Sequence, residues 1–413
     1  WLPDVFGYSA ALPQILKRSE IQYFTTTKIN WNQFNKLPND TFMWRGIDGS
    51  EIMTYFISTR NPYYDPETYY TTYNGFIHPG AIMGGWDRYQ QKNINNNILV
   101  AFGFGDGGGG ATIEMLETGR RMNKGIPGCP KVEIGKAGDY FKGLDEKFHE
   151  GELLPKWVGE LYLEYHRGTY TSMAKNKWYN RKSELLYQDI EFLYSLSMNF
   201  GNKYPQQKIN ENWETILLNQ FHDILPGTSI REVYEDSHRQ YETVLQEGNI
   251  LAEKGLKKIS ENIKLENTSI VVYNTLSYDR SDIAVFDMPE GYENPCIEDE
   301  MGNIIPCQII EGIDKPKAVF FSEKIPSKGY KAFNIRNDHE KNTHIDKLTV
   351  KASKLSNKYF SIAIDGKGTI TSIYDKVNNR EILRQGKRGN QLQVFEDKPM
   401  KYDNWDIDIY YKE

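Results

Sequence analysis

Short apolar runs alternate with amphipathic helical stretches over residues 1–154. The apolar patterns predict strands in "IQYFTTTKI", "NILVAF" and "KVEI", and "TFMWRGIDGSEIMTYFI" predicts a hairpin that turns at Asp48-Gly49. Apolar residues at helical spacing predict helices in "AIMGGWDRYQQ", "ATIEMLETGRRM" and "AGDYFKGLDEKF". Such alternation is typical of an α/β layer or barrel, where catalytic loops gather at the carboxyl ends of the strands.

The pattern changes to long helices over residues 155–267. Leu186, Ile190 and Leu193 recur at helical spacing in "KSELLYQDIEFLYSL", and the stretch "SIREVYEDSHRQYETVLQEGNILAEKGLKKI" continues the same period. Ser229, followed three positions later by Glu232, predicts a capping box at the start of the second of these helices. We expect a helical bundle here.

After Asn267 the chain becomes rich in strand signals. Runs such as "SIVVYNTL", "DIAVFDM", "IIPCQII", "KAVFFSEKI" and "KAFNI" are separated by Gly, Pro, Asn and Asp. A polar stretch, "RNDHEKNTHIDK", precedes a second group that includes "KYFSIAIDGKGTITSIYDK" and "QLQVFED". We expect a small β domain over residues 268–340 and the start of a larger β-sandwich domain over residues 341–413. The fold class is thus multidomain: α/β, then α, then β.

Composition excludes several classes of function. The 413 residues are 39% hydrophobic and 26% charged, as in soluble globular proteins, and they contain no apolar run long enough to span a membrane. A net charge of −6 without a dense Lys/Arg block argues against nucleic acid as a partner. Three scattered cysteines indicate a reducing compartment, hence a cytoplasmic location, and a homo-oligomer is compatible with this composition.

The stretch "WLPDVFGYS" places Asp4 between a proline and an aromatic, with Gly7 just beyond. One interpretation is that Asp4 caps a helix running through "SAALPQILKR". The other is that it is a functional carboxylate on an extended segment, because Pro3 favours extended backbone before it and Gly7 permits a turn after it. The stretch alone leaves both open.

The glycine-rich stretch "FGFGDGGGGAT" carries one acidic residue, Asp106. Gly103, Gly105 and Gly108 match the G-x-G-x-x-G spacing of a dinucleotide-binding loop, with Glu133 as a ribose partner, so an NAD-dependent oxidoreductase is an alternative. A carboxylate within the loop would repel a pyrophosphate, however. A catalytic carboxyl group on a bare turn fits the chemistry better.

In "LLNQFHDILPGTS", His222 and Asp223 follow an apolar helical stretch and precede a Pro-Gly break. Both side chains should therefore lie near a helix end. A lone histidine on a helix is usually structural, but His and Asp are also suitable ligands for zinc.

Taken together, these stretches resemble glycoside hydrolase family 38, the retaining class II α-mannosidases. The resemblance rests on "WLPDVFGYSAALPQIL", "WRGIDGSEI", "GFGDGGGG", "GELYLEYHRGTYTS" with "NRKSE", and "LNQFHDILPGTSI", in the family's order. The glycine-rich loop is similar to that of the cytosolic and bacterial branch, and "YDNWDIDIYY" looks like the family's β region. The resemblance implies that residues 1–154 are the C-terminal part of a (β/α) barrel-like catalytic domain and that residues 155–267 are the middle domain.

The resemblance also implies roles for single residues. Asp4 matches the nucleophile, which also ligates zinc, and Asp106 matches the acid/base carboxyl. Known members have two adjacent aspartates where this chain has Asp106-Gly107. His222 matches a zinc ligand, with Asp223 beside it in the sugar site. Phe6 matches an aromatic near the bound sugar.

His166 and Arg167 in "LEYHRG" would supply charged groups for sugar hydroxyls or a charged aglycone, and a structural ion pair is the alternative. The resemblance implies an α-mannoside substrate, either an oligosaccharide or a small glycoside such as mannosylglycerate. A non-catalytic carbohydrate-binding relative is a further alternative.

The family's other two zinc ligands come from a His-x-Asp that would lie upstream of Trp1. The His344-x-Asp346 of this chain is on the wrong side of the nucleophile and is taken as coincidence. The chain begins at Trp1 and stops at "YYKE" in mid-pattern, which indicates an internal piece of a longer protein. We therefore expect the isolated piece neither to hold zinc tightly nor to turn over substrate.

Overall fold

The computed structural model describes residues 1–59, 71–106, 108–292, 295–312, 315–337 and 348–412. They divide into two units, the first made of Trp1–Ser172 with Asp397–Glu413 and the second of Met173–Glu396. His344 and Asp346 of the His-x-Asp pattern, and residues 60–70, lie outside the described residues.

The first unit is a mixed α/β structure built on a four-stranded sheet. Its elements are β1 (Gly7–Tyr8), α1 (Leu12–Arg18), β2 (Tyr23–Thr26), β3 (Thr41–Arg45), β4 (Glu51–Phe56), α2 (Pro79–Arg88), α3 (Ile113–Asn123), α4 (Ala137–Lys147), β5 (Lys156–Val158) and β6 (Leu161–Tyr162). The sheet order is β2-β4-β3-β5, and β2 and β4 run parallel. The fully buried side chains of Trp44, Ile52 and Phe56 belong to its core. Burial of nearly every β4 side chain explains why its sequence is a continuous run of strand-forming residues.

The predicted hairpin is confirmed, because β3 and β4 pair antiparallel around the turn at Asp48-Gly49. Gly49 has a φ of 86°, a conformation that glycine adopts at no steric cost. The three helices predicted in this region are also confirmed, as α2, α3 and α4.

Two predicted strands of this region are wrong. "NILVAF" forms no ladder and makes two isolated bridges, Thr72 with Ala101 and Gly75 with Phe102. Its Leu99 amide instead donates to the Tyr55 hydroxyl oxygen at 3.0 Å. "KVEI" is mostly exposed and is not a strand. An apolar run becomes a strand only where a partner strand satisfies its backbone groups. The (β/α) barrel expected for this region stays a prediction.

The helical part of the second unit consists of α5 (Ala174–Ser197), α6 (Gln206–Asn219) and α7 (Arg231–Ser260). The predicted bundle is confirmed, with Tyr187, Ile190, Tyr241 and Val244 in its core. The predicted Ser229 cap is wrong. Ile230 is the N-cap of α7, and the Ser229 hydroxyl donates to the Asp223 carbonyl at 2.6 Å.

The rest of the second unit is β structure in three antiparallel sheets. Its strands are β7 (Ser269–Asn274), β8 (Arg280–Asp287), β9 (Pro295–Glu298), β10 (Ile304–Ile305), β11 (Cys307–Ile310), β12 (Lys317–Ile325), β13 (Gly329–Asn337), β14 (Thr349–Lys351), β15 (Lys354–Ser356), β16 (Phe360–Ile364), β17 (Ile370–Asp375) and β18 (Arg380–Glu381). The sheet orders are β10-β9-β13-β7, β11-β12-β8 and β14-β15-β16-β17-β18. "QLQVFED" is not a strand, contrary to prediction. The α/β, α and β parts follow in the predicted order, and the exact bounds of the four predicted domains stay predictions. Across the described ranges, no helix is long and apolar enough to cross a membrane.

Candidate functional site

Asp4 lies beside the carboxyl end of β2, on a segment that backbone hydrogen bonds hold in place. The amides of Thr27 and Lys28 donate to the Pro3 carbonyl at 3.1 and 3.2 Å. Gly7 has a φ of 117°, which a residue with a side chain rarely adopts, and this turn lets β1 leave Asp4 and pair with β6. Asp4 therefore lies at the edge of the sheet where catalytic loops gather.

The interpretation of Asp4 as a helix cap is wrong. The helix in "SAALPQILKR" is α1, whose N-cap residue is Ala11 and whose first turn contains Pro13. The Asp4 carboxylate is instead engaged by side chains from other segments of the first unit.

Lys28 forms an ion pair with Asp4. Its Nζ lies 2.6 Å from Asp4 Oδ1, and 9% of the lysine side chain is exposed against 39% of the aspartate side chain. The same ammonium group lies 3.9 Å from the ring centroid of Trp31 and 5.4 Å from that of Phe6. Because aromatic ring faces carry negative potential, both rings attract the cation. Asp4 Oδ1 thus has a fixed positive partner, while the side chain stays partly open to solvent.

Tyr73 joins the two predicted catalytic carboxylates. Its hydroxyl oxygen is 2.8 Å from Asp4 Oδ2 and 3.0 Å from Asp106 Oδ2, so these two carboxylate oxygens are less than about 6 Å apart. Burial, followed by the hydrogen bonds and charges of the two aspartates, raises the pKa of Tyr73 well above its usual value. Tyr73 is therefore a protonated phenol that can donate one hydrogen bond.

Asp106 stands on an exposed turn closed by backbone hydrogen bonds. The Phe104 amide donates to the Gly110 carbonyl at 3.1 Å, and the Gly109 amide donates to the Phe104 carbonyl at 2.8 Å. At Gly103, a Cβ would lie 3.0 Å from the Gly110 carbonyl carbon, so a side chain there would crowd the turn. The glycines thus permit a tight turn on which the Asp106 carboxyl group is exposed.

This turn does not fit the dinucleotide-binding alternative. A dinucleotide loop leads directly from a strand into a helix, whereas residues 97–102 form no strand and α3 begins at Ile113 with Thr112 as its cap. Glu133, the proposed ribose partner, lies on an exposed segment without regular structure.

His166 is buried among aromatic rings of the first unit. Its ring centroid is 4.6 Å from that of Phe6, 5.4 Å from that of Trp405 and 5.0 Å from that of Tyr402. Burial, followed by the charge of Lys28, lowers the pKa of His166 to about 4. The ring is therefore uncharged near neutral pH and does not supply the charged group expected from sequence.

Arg167 and the neighbouring Glu164 make structural contacts. The Arg167 amide donates to Asp406 Oδ1 at 3.4 Å. The Glu164 carboxylate accepts from the amides of Phe34 and Asn35 at 2.6 and 3.1 Å, which fixes the loop after β2. Binding of substrate by His166 or Arg167 stays a prediction.

His222 and Asp223 belong to the second unit and lie just beyond the end of α6, as predicted. The His222 side chain is 75% exposed, and its Nε2 is 3.4 Å from Asp223 Oδ2. Asp223 Oδ1 accepts from the Thr228 hydroxyl at 2.8 Å, and the Tyr234 hydroxyl donates to the Asp223 carbonyl at 3.2 Å. The loop is therefore preformed, with the imidazole available to a ligand.

Three family models match the chain. They are the glycosyl hydrolases family 38 N-terminal domain over residues 1–160, the alpha mannosidase middle domain over residues 164–259, and the glycosyl hydrolases family 38 C-terminal domain over residues 355–413. The chain belongs to glycosyl hydrolase family 38.

The relatives of this family 38 chain are named α-mannosidases. It is 33% identical to alpha-mannosidase G of Dictyostelium discoideum, over 99% of the chain and 39% of that protein. It is 30% identical to human alpha-mannosidase 2C1 over 100% of the chain and 36% of that protein, and 32% identical to Saccharomyces cerevisiae alpha-mannosidase over 99% and 34%. The chain thus spans less than two fifths of the length of these relatives.

A solved structure has the same fold. The crystal structure of an alpha-mannosidase from Enterococcus faecalis V583 superposes with a TM-score of 0.64 at 17% identity, covering 92% of this chain and 48% of that one. The similarity extends over both units of the family 38 chain.

Sequence reasoning missed Lys28, Tyr73 and Trp405 in this family 38 site. Trp405 lies in "YDNWDIDIYY", which carries part of the family resemblance, whereas Tyr73 lies in the aromatic sequence "YYTTYNGF", which matches no quoted motif. Lys28 follows a predicted strand and has no distinguishing pattern of its own. Its importance comes from a contact with a residue that is distant in sequence.

Replacing Lys28 by methionine in the full-length protein is expected to lower kcat/KM on an aryl α-mannoside by about 10- to 100-fold. Methionine keeps most of the side-chain length but removes the cation that pairs with Asp4. The cation–π contacts with Phe6 and Trp31 are lost as well. The measurement is steady-state kinetics at a fixed pH. The matched control is Lys36→Met at an exposed position. A loss below threefold in the Lys28 variant would show that the ion pair does not position Asp4 for the reaction.

Proposed function

We propose that this chain carries the nucleophile and the acid/base of a zinc-dependent retaining exo-α-mannosidase. The observation that supports the proposal most directly is the pair Asp4 and Asp106, which share Tyr73 and lie less than about 6 Å apart. Retaining glycosidases need two carboxyl groups about 5–5.5 Å apart, whereas inverting ones need a wider gap for water. The family membership and the α-mannosidase relatives supply the substrate class.

In the proposed reaction Asp4 attacks the anomeric carbon of an α-mannoside and forms a covalent ester while the glycosidic C–O bond breaks. Asp106 gives its proton to the departing oxygen and so becomes a carboxylate. It then removes a proton from a water molecule, whose oxygen attacks the anomeric carbon and breaks the ester to Asp4. The product is α-mannose, and both carboxyl groups return to their starting states.

The hydrogen-bond inventory at Tyr73 is consistent with these roles. A phenol has a single hydrogen, so it can donate to only one of two carboxylates at a time. Both contacts become hydrogen bonds when Tyr73 donates to Asp4 while a protonated Asp106 donates to the phenol oxygen. Lys28, 2.6 Å from Asp4 Oδ1, places a positive charge beside the carboxylate that would act as the nucleophile.

The donor chemistry of the chain suits zinc, although the number of donors is incomplete. Asp4 is part-exposed and each of its oxygens retains a second lone pair, while His222 offers an exposed imidazole. In the part of the chain that the structure describes, no group of three or more His, Cys, Asp and Glu side chains could hold a metal ion. By the family resemblance, Asp4 and His222 would each be one of four ligands, and bound zinc would supply Lewis acidity toward sugar hydroxyls. A cytoplasmic location also stays a prediction.

The direct test is hydrolysis of 4-nitrophenyl α-D-mannoside by the zinc-loaded full-length protein, followed by proton NMR of the first sugar released. We expect α-mannose to appear before the β anomer, because two displacements restore the configuration. The corresponding β-mannoside and α-glucoside serve as controls and should be hydrolysed far more slowly.

Release of β-mannose first would contradict the retaining mechanism. Mannose binding without hydrolysis would favour a non-catalytic carbohydrate-binding protein instead. Removal of metal with a chelator is expected to abolish hydrolysis and added zinc to restore it, and undiminished activity after complete removal would contradict the metal requirement.

A further inference from the structure

Trp405 and Asp406 lie in the last described segment and contact the turn that follows His166. The Arg167 amide donates to Asp406 Oδ1 at 3.4 Å, and the Thr169 amide donates to the Trp405 carbonyl at 3.3 Å. Only 6% of Asp406 is exposed, so its carboxylate is a buried acceptor for a buried loop. The two segments are more than 200 positions apart in sequence and belong to the same unit.

Gly168 shows how closely the two backbones approach each other. A Cβ at this position would lie 3.0 Å from the Trp405 carbonyl oxygen and 3.3 Å from that of Asp406. Because the obstacle is backbone rather than a flexible side-chain end, a larger residue could not be accommodated without moving one of the segments. The contact is therefore specific in shape as well as in hydrogen bonding.

The turn carries His166 in an unusual conformation. Its φ is 61°, in the left-handed region that costs energy for a residue with a side chain and persists only where the surroundings hold it. Its Nδ1 is buried and has no hydrogen-bond partner among the described residues. The ring is instead held by edge contacts with Phe6 and Tyr402 and by a tilted contact with Trp405.

These rings lead directly to the nucleophile. The centroids of Phe6 and Trp405 are 5.2 Å apart, and those of Trp31 and Tyr402 are 6.4 Å apart, with the two ring planes inclined by 29°. Phe6 and Trp31 are the two rings over which the Lys28 ammonium lies. Contacts thus run without a break from Asp406 through the ring cluster to the ion pair with Asp4.

We propose that the segment Tyr402–Asp406 is a positioning element for the nucleophile, which holds the His166 turn and, through the aromatic rings, the Lys28–Asp4 ion pair. This inference rests on the proposed function of Asp4. Asp406 and Trp405 act through other residues, so their loss should lower kcat while the Asp4 and Asp106 carboxyl groups remain present.

The test compares Asp406→Ala with Asp406→Asn in the full-length protein. Asparagine keeps an oxygen that can accept from the Arg167 amide, whereas alanine removes it. We expect Asp406→Ala to speed hydrogen exchange of the Arg167 and Thr169 amides and to lower kcat on an aryl α-mannoside by about 10- to 100-fold per folded molecule. Asp406→Asn, and the exposed control Asp397→Ala outside the segment, should stay within threefold of the wild type in both measurements.

The proposal is overturned if Asp406→Ala keeps kcat within threefold, or if Asp406→Asn loses as much as Asp406→Ala. Should the alanine variant fail to fold, Trp405→Leu decides, because it keeps the backbone acceptor and removes the ring. A kcat loss of about tenfold or more in Trp405→Leu supports the proposal, and an unchanged kcat refutes it. If the wild type hydrolyses no α-mannoside, the proposed function fails, and the exchange measurement still decides whether Asp406 holds the turn.

Discussion

Replacing Asp4 by asparagine is expected to lower kcat on an aryl α-mannoside by about 10⁴-fold or more, because the amide cannot form the covalent intermediate. Asparagine is nearly isosteric, and its oxygen can still accept from Lys28. Its nitrogen, facing Tyr73, can only donate, so the phenol must accept rather than donate. The variant therefore removes the proposed nucleophile while keeping most of the packing.

The experiment is steady-state kinetics of the full-length variant, with and without azide. In a smaller variant, Asp4→Ala, an azide ion can occupy the space of the carboxylate and attack the same face of the sugar. The product would be β-mannosyl azide, since only one displacement occurs. The exposed Asp87→Asn is the matched control and should behave as the wild type. An Asp4→Asn enzyme within tenfold of the wild type would rule out Asp4 as the nucleophile.

Replacing Asp106 by alanine is expected to lower kcat by about 10²- to 10⁴-fold for substrates with poor leaving groups, because no acid protonates the departing oxygen. Substrates with an activated aryl leaving group need little protonation, so their first step should be much less affected. For them the second step becomes slow, because no base activates water, and the mannosyl-enzyme accumulates. A burst of phenol release would report that accumulation.

Azide separates this role from that of Asp4 by the stereochemistry of the product. In the Asp106→Ala variant azide attacks the mannosyl-enzyme, so we expect faster turnover and α-mannosyl azide. Glu114→Gln, an exposed acidic residue close to the same loop, is the control. β-Mannosyl azide from the Asp106 variant, or a uniform loss for all leaving groups, would assign the acid/base role to another residue. The product of the Asp106 variant would also show whether Asp106 is the acid/base in a chain that lacks the second of the family's two adjacent aspartates.

The most reliable sequence predictions were those with local causes. The hairpin at Asp48-Gly49 was predictable because the turn residues and the two strand-forming runs lie within a few residues of each other. The helix α7 was predictable because its apolar period repeats over 30 residues. "NILVAF" was mispredicted because its strand character depended on a partner that the tertiary structure does not provide. The capping role of Ser229 was mispredicted because its hydroxyl donates to the Asp223 carbonyl and does not cap α7.

In the candidate site, too, features with local causes were predictable and features that depend on tertiary contacts were not. The sequence by itself determined the motifs that contain Asp4, Asp106 and His222, the turn that presents Asp106, and membership of a glycosidase family. Only the tertiary structure decided that Tyr73 joins the two carboxylates, that Lys28 is the cation on Asp4, and that Trp405 and Asp406 contact the His166 turn. The physical reason is that these contacts join side chains tens to hundreds of positions apart. No local periodicity or turn preference encodes which partners the folded chain brings together.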